Sequence, residues 1–340
     1  MATLKDVAGI AAVSTSTASR ILHGGTIRVA PETRERVIRA AESLNYRANS
    51  VARSLRTRIT RTVGILIPDI QNLVYAQLIA GAEEAAQSNG YALLLMNSSS
   101  QERRRAFFDL LAEDRLDGLI IADATLEDHW IEHLQGSGKA FLLVNRHPLN
   151  SAPYLTLDEQ AGAALGVRHL ISLGHRNIAY FSGPPGHEGA DERKVGALLE
   201  AQALGAPIPA DHMFACGLAG EGADAAVEQM LSLRERPTAI ATGSIVIAFA
   251  AAKSIQNRRL RIPEDISIIG FHDTPVAAYV TPGITTVEMP LLELGRRAMV
   301  HILSRVSGID CPSETIRTPA PRIVLRQSTG PRGDSGKDRS

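Results

Sequence analysis

The sequence predicts an α + α/β chain: an N-terminal three-helix unit, a short hinge helix, then two doubly wound parallel α/β lobes. Three observations carry this expectation. Residues 3–45 show apolar side chains at helical spacing in three short stretches. From Thr62 onward, apolar runs bounded by Gly and Pro alternate with helical stretches. That alternation lasts for about 260 residues, too many for one small sheet, so two lobes are expected.

Leu4, Val7, Ala8 and Ala11 form one apolar stripe at i, i+3, i+4, i+7. Val13-Ser14 makes a turn, with Ser14 or Thr15 as the next N-cap. Ala18, Ile21 and Leu22 give a second helix its inner face, and Gly24-Gly25 ends it. Pro31 suits the first turn of a third helix, whose inner face holds Val37, Ala40, Ala41 and Leu44. Three helices with a tight turn between the first two are helix-turn-helix architecture, assigned to residues 1–46. Residues 47–60 read as a hinge: arginines, no acidic residue, and a stretch after Asn49 too short for an isolated helix.

Strands are predicted at Val63–Ile67, Ala92–Met96, Gly118–Ala122, Lys139–Val144, Ile178–Phe181, Ala239–Thr242 and Ile266–Gly270, with helices between them. One lobe is expected over 61–158 plus 288–318, the other over 159–287 plus 319–329. The Gly-, Ser- and charge-rich tail, 330–340, is expected to be disordered.

Composition narrows the function classes. Apolar residues at 44% and charged residues at 21% exclude disordered and fibrous chains. No apolar run reaches the ~18 residues of a membrane span, and the N-terminus lacks the pattern of a signal peptide, so a cytoplasmic protein is expected. Cys216 and Cys311 are far apart and read as reduced thiols. The formal charge of zero hides an asymmetry. Residues 1–61 hold Lys5 and ten arginines against four acidic groups, a net +7 balanced by −7 elsewhere. A basic head on an acidic body points to a polyanion partner for the head alone.

On the second helix Ser16, Ser19, Arg20 and His23 lie opposite the apolar stripe, with Thr15 and Thr17 at its start. Short hydrogen-bonding side chains followed by an arginine suit entry into a DNA major groove. No Gly-x-Ser-x-Gly elbow, phosphate loop or metal-spaced His/Glu set is present, so no catalytic residues, cofactor or metal are expected and the chain is not read as an enzyme.

The segments Thr3–Leu22, Val29–Val37 and Leu44–Leu55 together resemble the headpiece of the lactose-repressor (LacI) family. Ile67–Asn72, Asp117–Ile120, His169–Ala179, Ile262–Phe271 and Thr281–Val287 resemble its periplasmic-binding-protein-like core. The resemblance covers about residues 3–329 and implies a homodimeric repressor on a near-palindromic operator, gated by a small-molecule effector between the lobes. It implies DNA contacts at Thr15, Ser16, Thr17, Ser19, Arg20, His23 and Asn49, and a minor-groove wedge at Leu55. Lacking a leucine heptad after Gln327, the chain is expected to stop at a dimer. Ala12 stands at a usual turn glycine, Ala18 at a larger aliphatic residue and Ala30 at a capping serine, so a marginally stable headpiece is expected.

For the effector, the resemblance and the strand ends together nominate Asp69, Asn72, Asn145, Arg146, Asp158, Arg193, Ser244, His272 and Asp273. The pocket departs from the family at Leu218, Gly243, Ser244 and His272. With Arg193 and Arg146 kept and a carboxylate replaced by His272, a positive pocket is expected. A sugar acid or sugar phosphate is favoured over a neutral sugar. The alternative is a stand-alone solute-binding protein without DNA function.

Overall fold

The computed structural model describes residues 2–22, 28–46, 59–123, 128–148, 151–217 and 219–332. His23, Asn49, Leu55, Leu218 and the expected hinge helix within 47–58 lie outside the described residues. Two compact units divide the chain at Thr60/Arg61.

In the first unit, α1 (Leu4–Ile10), α2 (Thr15–Leu22) and α3 (Pro31–Ser43) pack around Val7, Ala8, Ala11, Ala18, Ile21, Val37, Ala40 and Ala41. Thr3 and Asp6 form a capping box that satisfies the first amides of α1. Ser14, not Thr15, caps α2: its hydroxyl accepts from the Thr17 amide at 3.1 Å. The core is small because five of its eight fully buried members are alanines. Two further weaknesses are visible. Ala12 adopts the left-handed conformation at φ +52°, which costs an L-residue roughly 1–2 kcal/mol. Ala30 precedes α3 with no side-chain cap. Ala12→Gly and Ala30→Ser are therefore each expected to stabilise the headpiece by roughly 1 kcal/mol, read as a higher melting temperature of residues 1–60.

The second unit contains two six-stranded sheets. The first has the order β11 (Glu314–Ile316), β5 (Tyr154–Leu157), β4 (Ala140–Val144), β3 (Gly118–Ile121), β1 (Thr62–Ile67), β2 (Ala92–Asn97), all parallel. The second has the order β12 (Arg322–Val324), β10 (Thr285–Glu288), β9 (Ser267–Phe271), β8 (Ala239–Thr242), β6 (Ile178–Ser182), β7 (Met213–Ala215), parallel except for β12. Continuous apolar strands such as Gly118-Leu-Ile-Ile121 are buried on both faces, as parallel strands require.

Helices α4 (Val74–Ser88) and α11 (Leu291–Val306) pack together beside the first sheet, and α5 (Gln101–Ala112) and α6 (Asp128–Ser137) contribute to a separate core with Phe107, Leu111, Ile131 and Leu134. Around the second sheet lie α7 (Glu159–Ser172), α8 (Glu188–Ala203), α9 (Ala223–Ser232) and α10 (Ile245–Asn257). Two glycines set close helix crossings. A Cβ at Gly295 would lie 2.0 Å from the Leu78 carbonyl oxygen, and one at Gly196 would lie 2.2 Å from that of Gln160. The second approach presses α8 against the start of α7, where the site is built.

The chain crosses between the sheets after β5, after β10 and after β11. The expected disorder does not extend to 330–332. The Gly330 amide donates to Ser267 and the Arg332 amide to the Leu173 carbonyl, while His175 contacts the Gly330 carbonyl oxygen through Nε2. These bonds tie 330–332 to the core; residues 333–340 lie outside the described residues.

Candidate functional site

On the headpiece, Thr15, Ser16 and Arg20 are exposed along one side of α2, opposite buried Ala18 and Ile21. The hydroxyls of Ser16 and Thr17 each lie 2.8 Å from that of Ser14, so the first turn is preorganised as a small hydroxyl cluster. Ser19, expected to contact DNA, is mostly covered. It is only 7% exposed, because it sits beside Ala18 on the inward side of a short helix. Opposite the buried stripe, the exposed side chains form a narrow polar face ending in a cation, shaped to meet base edges and phosphates.

In the second unit, a cavity of about 60 Å³ lies between the two sheets at the carboxyl ends of their strands. The first sheet's side supplies Asn72, Val74 and Tyr75 from the loop into α4, Ala122 after β3 and Asn145 after β4. The second sheet's side supplies Glu159 on α7, His187, Gly189 and Arg193 around the start of α8, Ser244 and Val246 after β8, and His272 after β9. Hydrogen bonds tie the two sides together around it. Gln77 donates to the Asp273 carbonyl at 3.0 Å, and the His147 amide donates to both Glu188 carboxylate oxygens at 2.9 and 3.0 Å.

Of the nine expected effector residues, Asn72, Asn145, Arg193, Ser244 and His272 line this cavity. The other four do not. Asp158 caps α7 and receives Arg317 Nε at 3.1 Å. Asp273 is held by Arg326 and by the Thr286 hydroxyl. The Asp69 carboxylate accepts from the Gln71 amide within its own loop. Arg146 is half-buried next to Asn145 but is not among the lining residues.

The expectation of a positive pocket fails for a specific reason. Arg193 Nη1 donates to Glu159 Oε2 at 2.9 Å, both side chains are buried, and the guanidinium lies 5.1 Å from the Phe271 ring centroid. The arginine's charge is thus matched inside the site. Sequence reasoning missed Glu159, an acidic residue in the first turn of α7. It also missed Tyr75 and His187.

Burial and the nearby Arg193 hold His272 well below the usual histidine range, so it is neutral at pH 7. The same two causes lower His187, whose Nδ1 accepts the Ala190 amide at 3.4 Å and caps α8. Burial lowers His169, His175 and His301 as well. Below the unfolded value near 6.5 the unfolded chain takes up protons that these five sites refuse, so stability falls as pH falls through that window. Burial raises the Glu159 carboxyl, which acts in the opposite direction. The net expectation is a melting temperature that drops between about pH 7 and pH 5.5, checked by thermal melts; a rise would contradict it. No group of three or more His, Cys, Asp or Glu side chains among the described residues could hold a metal.

A three-helix DNA-reading unit joined to a two-sheet core with a cavity between its sheets defines a class: regulators that read DNA with one unit and bind small molecules with the other. Residues 3–49 match the family described as "Bacterial regulatory proteins, lacI family", and residues 167–329 match "Periplasmic binding protein-like domain". The chain belongs to the LacI family of transcriptional regulators. It is 33% identical to catabolite control protein A of Priestia megaterium, over 96% of this chain and 99% of the relative. It is 34% identical to the HTH-type transcriptional repressor PurR of Aliivibrio salmonicida over the same shares. Among solved structures, the Lac repressor dimer bound to operator and the anti-inducer ONPF aligns with a TM-score of 0.82 at 25% identity, covering 97% of this chain and 99% of that one. A LacI family regulator from Mycobacterium smegmatis aligns at 0.73 and 28% identity, covering 80% of this chain and all of the other.

Proposed function

We propose that the chain is a repressor that binds a near-palindromic operator as a homodimer and releases or tightens its grip when a small molecule fills the cleft. The observation that carries the reading is the exposed Thr15, Ser16 and Arg20 face of α2 within the net +7 segment. Two such helices related by a two-fold axis would read two half-sites in successive major-groove turns. The relatives named above support this over a stand-alone solute-binding protein, since their similarity runs through the headpiece as well as the core.

In this reading Thr15, Ser16 and Arg20 meet base edges, Thr17 positions the first turn, and His23 and Asn49 contact the backbone. Leu55 wedges into the central minor groove. Asn72, Asn145, Arg193, Ser244 and His272, joined by Tyr75, Glu159 and His187, hold the effector. The cleft closes or opens about the three crossings, shifting the segments that lead to the headpieces, and the coupling is reciprocal: operator changes effector affinity by the same factor. The reading assigns no catalytic step to the cleft and places the protein in the cytoplasm, on the nucleoid when bound. No described helix is long and apolar enough to cross a membrane.

The test is a mobility-shift selection from genomic fragments, with sequencing of the retarded DNA. An enriched, two-fold symmetric motif is the expected result. Enrichment of unrelated sequences would overturn sequence-specific repression.

A further inference from the structure

Among the described residues that line the cavity, Arg193 is the single arginine or lysine. Its Nη1 is already engaged by Glu159, and a second buried carboxylate, Asp123, lies close enough to act on Tyr75 and His187. The histidines at the wall, His187 and His272, contribute no compensating cation at neutral pH. An anion entering this site meets no spare positive charge. The guanidinium's charge is already matched by Glu159, so an anion placed against its remaining N–H groups would set a second negative charge beside a buried carboxylate, which is unfavourable.

The polar atoms left over suit a different visitor. Asn145 Oδ1, Arg193 Nε and both ring nitrogens of His272 are buried and have no hydrogen-bond partner. Asn145 Oδ1 can only accept and Arg193 Nε can only donate, while a neutral imidazole does one at each nitrogen. The set asks for two donors and two acceptors on the incoming molecule. A hydroxyl group supplies both, whereas a carboxylate or a phosphate dianion supplies acceptors alone. The small cavity, with Val74, Tyr75 and Val246 on its walls, limits the ligand to a compact one.

We infer that Glu159 sets the charge class of the ligand: by matching the Arg193 charge from one side of its fork it disfavours carboxylates and phosphates and reserves the cleft for an uncharged, hydroxyl-bearing molecule. This rests on reading the cleft as the effector site. It makes Glu159 a specificity-determining residue and replaces the acidic ligand expected from the arginines alone.

The experiment uses the full chain and matched probes: aldohexoses with their aldonates, aldopentoses with their 5-phosphates, alditols, and inorganic phosphate. Calorimetry and thermal melts are read on the wild type and on Glu159→Gln. In the wild type at least one uncharged probe binds, at least about tenfold more tightly than its anionic counterpart, and inorganic phosphate does not bind. In Glu159→Gln the preference shifts toward the anion by at least about tenfold, because the freed guanidinium is now unmatched. Wild type binding an anionic probe as tightly as its neutral partner, or no uncharged probe at all, overturns the inference. So does a folded Glu159→Gln without the shift. Removing a buried partner can itself unfold the chain, and the wild-type pairs decide the question without the variant. DNA retardation is measured on the same preparations. Retardation without uncharged-ligand binding removes the charge filter and leaves the regulator reading standing; ligand binding without retardation does the reverse.

Discussion

Arg20→Ala is expected to weaken operator binding by about 1–3 kcal/mol at each half-site, which for a dimer compounds to between about thirtyfold and about twenty-thousandfold. Arg20 lies in the last turn of α2 on its exposed side. It is therefore free to project from the helix, while buried Ala18 and Ile21 fix that helix on α1 and α3. Truncating it removes a bidentate donor without touching the headpiece core, so the melting temperature should not change. Anisotropy titrations on the selected operator measure the effect. An affinity within twofold of wild type would mean that α2 does not read DNA through this face. Ser19→Ala is the companion variant. Being buried, Ser19 is expected to influence headpiece stability more than contact with DNA.

Arg193→Met is expected to cost the core about 3–5 kcal/mol of stability and to abolish effector binding, because it strands Glu159 as an unpaired buried carboxylate. Glu159→Met alone strands the arginine and carries a similar penalty. The double variant, with both charges gone, should recover most of the stability while remaining unable to bind ligand. Denaturant unfolding of the four proteins gives the coupling directly. Additive penalties would show that the two side chains do not act as a buried pair.

The architecture was largely legible because it is written in periodicity. Alternating apolar runs and helical stretches announced parallel α/β lobes, and Val7, Ala8, Ala18, Ile21, Val37 and Ala40 all fall inside the headpiece core their spacing predicted. Strand ends pointed to Asn72 and Asn145, and the family resemblance to Ser244 and His272, all of which line the cavity. Asp158 and Glu159 show where such reading stops. Both follow β5 and both are carboxylates, yet one turns outward to cap α7 and the other turns inward to Arg193. That choice depends on the approach of α8 to α7 at Gly196, a contact between positions far apart in sequence. Charge in the cleft was misjudged for the same reason: an arginine's partner is a tertiary fact, invisible to local spacing. Asp273 likewise serves Arg326, 53 positions away.

The most direct test of the central claim, that the basic first unit grips duplex DNA while the core senses a ligand, is the salt dependence of binding to the selected operator. The account predicts a specific complex whose log affinity falls linearly with log salt concentration, with a slope of about −0.9 per phosphate neutralised, and a shallower slope for variants that remove a phosphate-contacting arginine. Absence of a complex in dilute buffer, or an affinity indifferent to salt, would contradict it.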